Sequence, residues 1–520
     1  MPLLLPCSDP QPLAPGLERT DAFHRQPLFA VQRGSEGRGA RLVVRSWNEA
    51  HALHGPARPS DVDPAFVAAL ISNQQSASAS PYRRIQRLPR SSHVLIGSDG
   101  EVVCSSYDPL AGGAAAMEPD ALHAFLRQGL LDHVRQALAD HPGRIGCEHS
   151  SGLDSNAVLG ALVHGAGVPA ERLFTWSYEA GGEGAPLEEF RRFHRLLPSH
   201  CHRVDHPDAW FGHDEERLPL QLGVFGAPAQ FGGSPPAMAW LKDQGCTLLF
   251  SGFGGDQALS HNANNVPTDL VAQARWRELH HWMGSRRAAL KTSVGRALAL
   301  LWRPWAERRV LRRAGIFMQA GLLQRSLTAE GRAWLEPHLP PSYPWEMDGY
   351  LPQHASIRRR VLDDWVAVRV EEESRLAAAH GMEKVFPLLD ERLIATLLQQ
   401  DPAHFGEGIR RGRLLHRRAF APFLPPLLQH NPSKHRHPEE GLEQWQAAKL
   451  AHDLRLAQHC LRAAADWHPA LARWWALDRI CQEAERVLES SRATPPQVSL
   501  TRHALLVMMG LSGWWEALDA

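Results

Sequence analysis

Residues 144–156 read Arg144-Ile145-Gly146-Cys147-Glu148-His149-Ser150-Ser151-Gly152-Leu153-Asp154-Ser155-Asn156. A short strand over 144–148 runs into a loop of small and hydroxyl residues. A helix over about 156–164 follows, stopped by Gly165 and Gly167. That order suits an anion site at the carboxyl end of a parallel strand. Gly152 lets backbone N–H groups approach a phosphate, and Ser150, Ser151 and Ser155 add hydroxyl donors. The helix turns its free N–H groups and the positive end of its dipole toward the anion. The loop is not a Walker A, because it lacks G-K-[ST]. Asp154 is out of place in a pure anion site unless it meets magnesium, which binds carboxylate and phosphate oxygens together. The same residues would also serve as a plain helix N-cap.

A second loop has the same ingredients. Ser251-Gly252-Phe253-Gly254-Gly255-Asp256 follows an apolar strand over 247–250. Two glycine/aspartate loops at neighbouring strand ends predict one Mg-nucleotide between them, with a carboxylate from each. A glycine-rich turn without a ligand is the alternative. Further strands fit at 173–177 and 202–205, and helices at 119–139 and 187–197. This alternation over 117–265 predicts an α/β fold with a mostly parallel sheet. From 266 onward the pattern is mostly helical, with Pro-rich breaks near 339–344 and 422–432. The arginine-rich stretch 302–313 reads as a solvated helix face rather than a docking site for an acidic partner.

Residues 1–115 differ in texture. Strands fit at 28–32 and 41–47, and a hairpin pairs 94–96 with 102–105 around Ser98-Asp99-Gly100. A helix over 63–71 has Asp63 as N-cap and Pro64 in its first turn. Residues 76–80 form a small-residue loop, and the Gly/Ala linker 111–116 is a plausible domain boundary.

Composition narrows the class. The 520 residues are 44% hydrophobic and 22% charged, which suits two to four globular domains. Lys+Arg and Asp+Glu are both 56, so no net field attracts nucleic acid or an anionic membrane. Only Lys242, Lys291, Lys384, Lys434 and Lys449 are lysines, so a lysine beside a motif stands out. Seven cysteines with no C-x-x-C pair argue against a disulfide framework or a zinc ribbon. No stretch reads as a signal peptide or a membrane span, so a cytoplasmic protein is expected.

Ser150-Ser-Gly-Leu-Asp-Ser155 resembles the S-G-G-x-D-S pyrophosphate loop of the PP-loop ATP pyrophosphatases, specifically the asparagine synthetase group. The stretch 251–256 is similar to that group's second loop, S-G-x-G-x-D. His380-Gly-Met-Glu-Lys-Val-Phe-Pro-Leu-Leu-Asp390 resembles its H-G-x-E-x-R-x-P-F-L-D segment. Residues 411–424 with Lys434 resemble its L-R-R-A…L-P…K stretch. Residues 81–89 and the hairpin after them look like the end of a glutamine-amidotransferase domain. The resemblance implies a degenerate class II glutamine-amidotransferase-like domain over 1–115, β-rich and α+β, and an ATP-pyrophosphatase domain over 116–520. It implies that Ser150, Ser151, Gly152, Leu153, Asp154, Ser155, Ser251, Gly252 and Phe253 bind ATP and pyrophosphate. Asp154 and Asp256 would bind Mg2+. Lys434 would stabilise the oxyanion and the departing AMP, and Glu383 would orient an amine or take its proton. Plainer readings remain: a solvated loop for Lys434 with His430, His435 and His437, and a salt bridge to Lys384 or Arg375 for Glu383.

The departures matter as much. Family glutaminases begin Met-Cys, whereas this chain begins Met1-Pro2 with its first cysteine at Cys7, so a dead glutaminase is expected. Phe253 stands where asparagine synthetases have a glutamate. Ser151 replaces a glycine, and Ala258-Leu-Ser-His-Asn262 replaces L-F-G-G-Y. A chain that activates a carboxylate without supplying ammonia needs another amine. β-Lactam synthetases and lasso-peptide cyclases both fit, and the likeness is greater to the cyclases. The implied reaction adenylates an Asp or Glu side chain of a precursor peptide and closes a macrolactam on the peptide's α-amine. A leader-binding protein and a leader peptidase would be partners. A β-lactam- or asparagine-synthetase-like ligase and a non-catalytic nucleotide-binding scaffold are the alternatives.

Overall fold

The computed structural model describes residues 11–23, 25, 27–32, 41–72, 77–179, 184–204, 235–295, 321–339, 351–408, 412–430, 442–490 and 492–519. Its N-terminal part holds strands β1 (Gly16–Thr20), β2 (Phe29–Gln32), β3 (Arg41–Val44), β4 (Ile85–Arg87), β5 (Ser92–Ile96) and β6 (Val102–Ser106). They form two three-stranded antiparallel sheets, ordered β3-β2-β4 and β1-β5-β6. Leu28, Ala30, Val43 and Leu88 pack against Val94 and Ile96 between them. The strand expected over 41–47 stops at Val44. Ser46 and Glu49 then form a reciprocal capping box that starts the helix Trp47–His54. The helix Pro64–Ile71 begins as expected, with Asp63 accepting from Ala65 N at 2.9 Å.

The central sheet has five parallel strands: β7 (Arg144–His149), β8 (Leu173–Tyr178), β9 (Cys201–Val204), β10 (Cys246–Phe250) and β11 (Glu383–Val385), ordered β11-β10-β7-β8-β9. The α/β expectation holds. Ile145 and Cys147 of β7 and Leu248, Leu249 and Phe250 of β10 are buried, as befits strands covered on both faces. The helix Pro119–Ala139 buries Leu122, Leu126, Leu130 and Val134 against one face. Met238, Leu241 and Ala377 cover the other around Trp176 and Leu249.

After β7 the chain builds outward through β8 and β9, then returns to lay β10 on the opposite side of β7. The order therefore reverses between β7 and β10, and the loops leaving these two strands open into the crevice where such sheets bind ligands. The C-terminal part is helical, as expected. Its last helix, Pro495–Asp519, packs with helix Leu442–Arg462 and reaches back to the N-terminal part. Trp514 Nε1 donates to Tyr82 Oη at 3.0 Å. No described helix is long and apolar enough to cross a membrane. The arginine-rich stretch 302–313 lies outside the described residues.

Candidate functional site

The helix after β7 begins three residues earlier than expected, at Leu153, with Gly152 as its extended N-cap (φ −80°, ψ 158°). A glycine cap brings no side chain to the first N–H groups, which leaves them for a ligand. Inside the loop, Ser150 Oγ lies 2.8 Å from Ser155 Oγ and accepts from Gly152 N at 3.1 Å.

The second loop presses onto the first, backbone against backbone. A Cβ on Gly252 would stand 2.5 Å from Ser155 N, and one on Gly255 would stand 2.2 Å from Asp154 Oδ1. Gly254 takes φ +101°, with Leu389 Cγ 2.3 Å from where its Cβ would be. Glycine is required at these positions by contact and by conformation.

The two loops line an open cleft of about 390 Å³. Ser150, Gly152, Asp154 and Ser155 come from one loop, and Ser251, Gly252, Phe253 and Asp256 from the other. The predicted residues of both loops are thus brought together, with two exceptions. Leu153 and Ser151 are buried, and neither side chain lines the cleft. Only their backbone N–H groups are left to meet a ligand in the cleft, since the Ser151 hydroxyl does not line it.

Trp176, Tyr178 and Trp365 give the cleft an aromatic wall. Phe253 meets Trp365 edge-on at 5.5 Å between centroids, and the Arg369 guanidinium lies 4.1 Å from the centre of the Phe253 ring. Beside this wall runs an ionic chain in which Lys384 and Glu373 are buried and Glu148 and Arg369 partly exposed. Lys384 Nζ donates to Glu148 Oε1 at 2.6 Å and pairs with Glu373 Oε2 at 2.7 Å. Arg369 Nε donates to Glu373 Oε1 at 2.6 Å, and Ser251 Oγ donates to Glu148 Oε2. Burial opposes the charge on Lys384, yet Glu148 and Glu373 hold its ammonium above the ordinary lysine range. Burial likewise opposes ionisation of Glu373, but Lys384 and Arg369 hold its carboxyl below the usual range. Two basic side chains thus alternate with two carboxyl groups along the chain.

The structure corrects the placement of Glu383. It starts β11, opposite Leu248 and three residues short of Ser251, at the amino end of the strands. Its side chain is 65% exposed and faces His141 Nε2 at 3.3 Å. Successive strand residues point to opposite sides, so Lys384 turns inward where Glu383 turns out. The expected pairing of Glu383 with Lys384 or Arg375 is likewise replaced by the His141 contact. Lys434, with His435 and His437, lies outside the described residues.

Glu148, Glu373, Lys384 and Arg369 were not foreseen as site residues. Their signal was faint: a carboxylate between the apolar run Ile145-Gly146-Cys147 and His149, and a lysine in a lysine-poor chain. Arg369 and Glu373 carry no local mark, because the helix Asp364–Ala379 has charges on several faces.

Two features bear on magnesium. Asp154 Oδ1 is buried with no hydrogen-bond partner, although His416 Nε2 lies 3.2 Å away. Asp256 Oδ1 accepts from Arg413 Nη1 at 2.5 Å and from Ser260 Oγ at 3.4 Å. Among the described residues no three His, Cys, Asp or Glu cluster as a ready metal cage. One or two carboxylates completed by substrate phosphates is what magnesium uses, so Asp154 fits such an ion, and Asp256 fits once Arg413 releases it.

A family model described as asparagine synthase matches residues 126–465, which span both loops and all five parallel strands. No curated protein matches the chain.

Proposed function

Because the chain belongs to the asparagine synthase family, whose members are ATP-dependent ligases, we propose that it is an AMP-forming macrolactam synthetase acting on a precursor peptide, as lasso-peptide cyclases are. A side-chain carboxylate oxygen of the peptide attacks the α-phosphorus of ATP, and pyrophosphate leaves. The loop amides, with Ser150 and Ser155, hold the leaving phosphates. Asp154 and Asp256 are the residues that would hold magnesium, which supplies positive charge between those phosphates when bound. The peptide's α-amine then attacks the acyl carbon, loses a proton and displaces AMP. Lys434 is assigned to the oxyanion and the departing AMP. Most of the acceleration comes from holding amine and acyl carbon together.

The observation that carries this reading is the aromatic wall. Phe253 faces the cleft where an ammonia-using synthetase is expected to carry a carboxylate, and Trp365 packs against it. An aromatic ring at that position, in place of a carboxylate, favours a peptide-borne amine over ammonia. We assign residues 1–115 to a degenerate amidotransferase-like domain and place the protein in the cytoplasm, with a leader-binding protein and a leader peptidase as partners. The test is exchange of labelled pyrophosphate into ATP. Exchange that depends on a precursor peptide bearing an Asp or Glu side chain and a free α-amine supports the reading. Exchange driven by free aspartate, and not by the peptide, contradicts it.

A further inference from the structure

An anion-binding loop must turn its N–H groups toward the anion and its carbonyls away. In a trans peptide the C=O and the following N–H point in opposite directions. Holding the carbonyls of Ser150 and Gly152 from behind therefore aims the N–H groups of Ser151 and Leu153 forward. Asn156 does this holding. Its Nδ2 donates to Ser150 O and to Gly152 O, both at 2.8 Å. Two carbonyl acceptors fix which end of the amide faces the loop, so Oδ1 points away. There it meets His194 Nε2 at 3.1 Å. Oδ1 can only accept, so His194 is the tautomer with hydrogen on Nε2.

Both residues are fully buried, and neither lines the cleft. His194 sits in the turn that closes the helix Gly184–Phe193, with its backbone N–H on Phe190 O at 2.9 Å. Burial, with His149 and His164 nearby, keeps its imidazole neutral. Ser155 Oγ also reaches the two carbonyls, at 3.2 and 3.3 Å. It has one hydrogen and lines the cleft, so a bound phosphate draws that hydrogen away. Asn156 has two and stays behind the loop.

We infer that Asn156 and His194 are positioning residues, a buried latch that presets the phosphate loop for a pyrophosphate group. The inference rests on the nucleotide reading above. It places no chemistry on either side chain.

The test is calorimetric titration of the full chain with magnesium pyrophosphate, MgATP and adenosine. Asn156→Leu and His194→Leu should each weaken pyrophosphate and MgATP at least about tenfold, the worth of one good buried hydrogen bond. Adenosine, which has no phosphate, should bind within about twofold of the parent, on the same reckoning that an untouched contact costs nothing. His194→Gln keeps a donor and should restore most of the pyrophosphate affinity. His194→Leu leaves Asn156 in place, so the comparison stands even where Asn156→Leu fails to fold. Leucine variants that bind pyrophosphate like the parent overturn the latch. Equal loss of adenosine also overturns it, because the damage is then general. A parent chain that binds neither MgATP nor pyrophosphate overturns the nucleotide reading itself, and the latch with it.

Discussion

Asp154 has one carboxylate oxygen buried without a hydrogen-bond partner, at the mouth of a helix whose N–H groups face the same cleft. Asp154→Asn removes the charge and keeps the shape. Pyrophosphate release should fall at least about 10²-fold, as for loss of one electrostatic stabiliser, while the thermal midpoint stays near the parent's. Full release by this variant would remove Asp154 from the metal role. Lys384 makes the opposite prediction. It is buried between Glu148 and Glu373, so Lys384→Met strands two carboxylates. The cost should be about 3–5 kcal/mol of stability, read by chemical denaturation. A loss near zero would mean that the carboxylates find other partners. At this scale the sequence was partly legible. Ser150, Asp154 and Phe253 are marked by their motifs. Glu383 and Lys384 are adjacent in the chain, and only the strand's orientation decides which of them turns inward.

The two loops that line the cleft are packed tightly against each other. Gly252→Ala places a methyl 2.5 Å from Ser155 N, which is backbone and cannot rotate aside. Pyrophosphate release should drop more than tenfold, with about 1–3 kcal/mol of stability lost to overpacking. Gly143→Ala, whose Cβ meets only Thr247 Oγ1 at 3.9 Å, is the neutral control. Equal behaviour of the two variants would mean that the loops are not held against each other. The parallel strands and the helix Pro119–Ala139 were legible because continuous apolar runs and helical periodicity leave little choice. β1, β4 and β11 were not. β4 and β11 are three residues each, and in β1 three of five residues face solvent, so no periodic signal marks them. The helix Trp47–His54 was hidden because its capping box follows a strand without a break, although Ser46 and Glu49 stood in the sequence.

The whole molecule buries several neutral histidines, and this sets its pH response. Burial pushes His149 and His261 down to about 3 and His503 to about 4, and lowers His194 well below the ordinary range. A lowered native value means that the unfolded chain takes up the proton first. Stability is therefore full above about pH 6.5 and falls as pH drops below it. Each such histidine costs about 1.4 kcal/mol by pH 5.5. Asp269, raised to about 6 mainly by burial, offsets part of this, because its native carboxyl gains a proton in the same window. Denaturation at pH 7.5 and pH 5.5 should show a clear loss at the lower pH. Equal stability would mean that these histidines are charged in the native state.

The central claim is that one cleft activates a peptide carboxylate and delivers it to that peptide's own amine. Mass spectrometry tests it most directly, with MgATP and the precursor peptide, and with free aspartate, each with and without glutamine and ammonia. The account predicts a peptide lighter by one water, about 18 Da from the stoichiometry of an internal amide, formed with AMP and pyrophosphate and indifferent to glutamine. Asparagine formed from aspartate and ammonia, with the peptide unchanged, would contradict it.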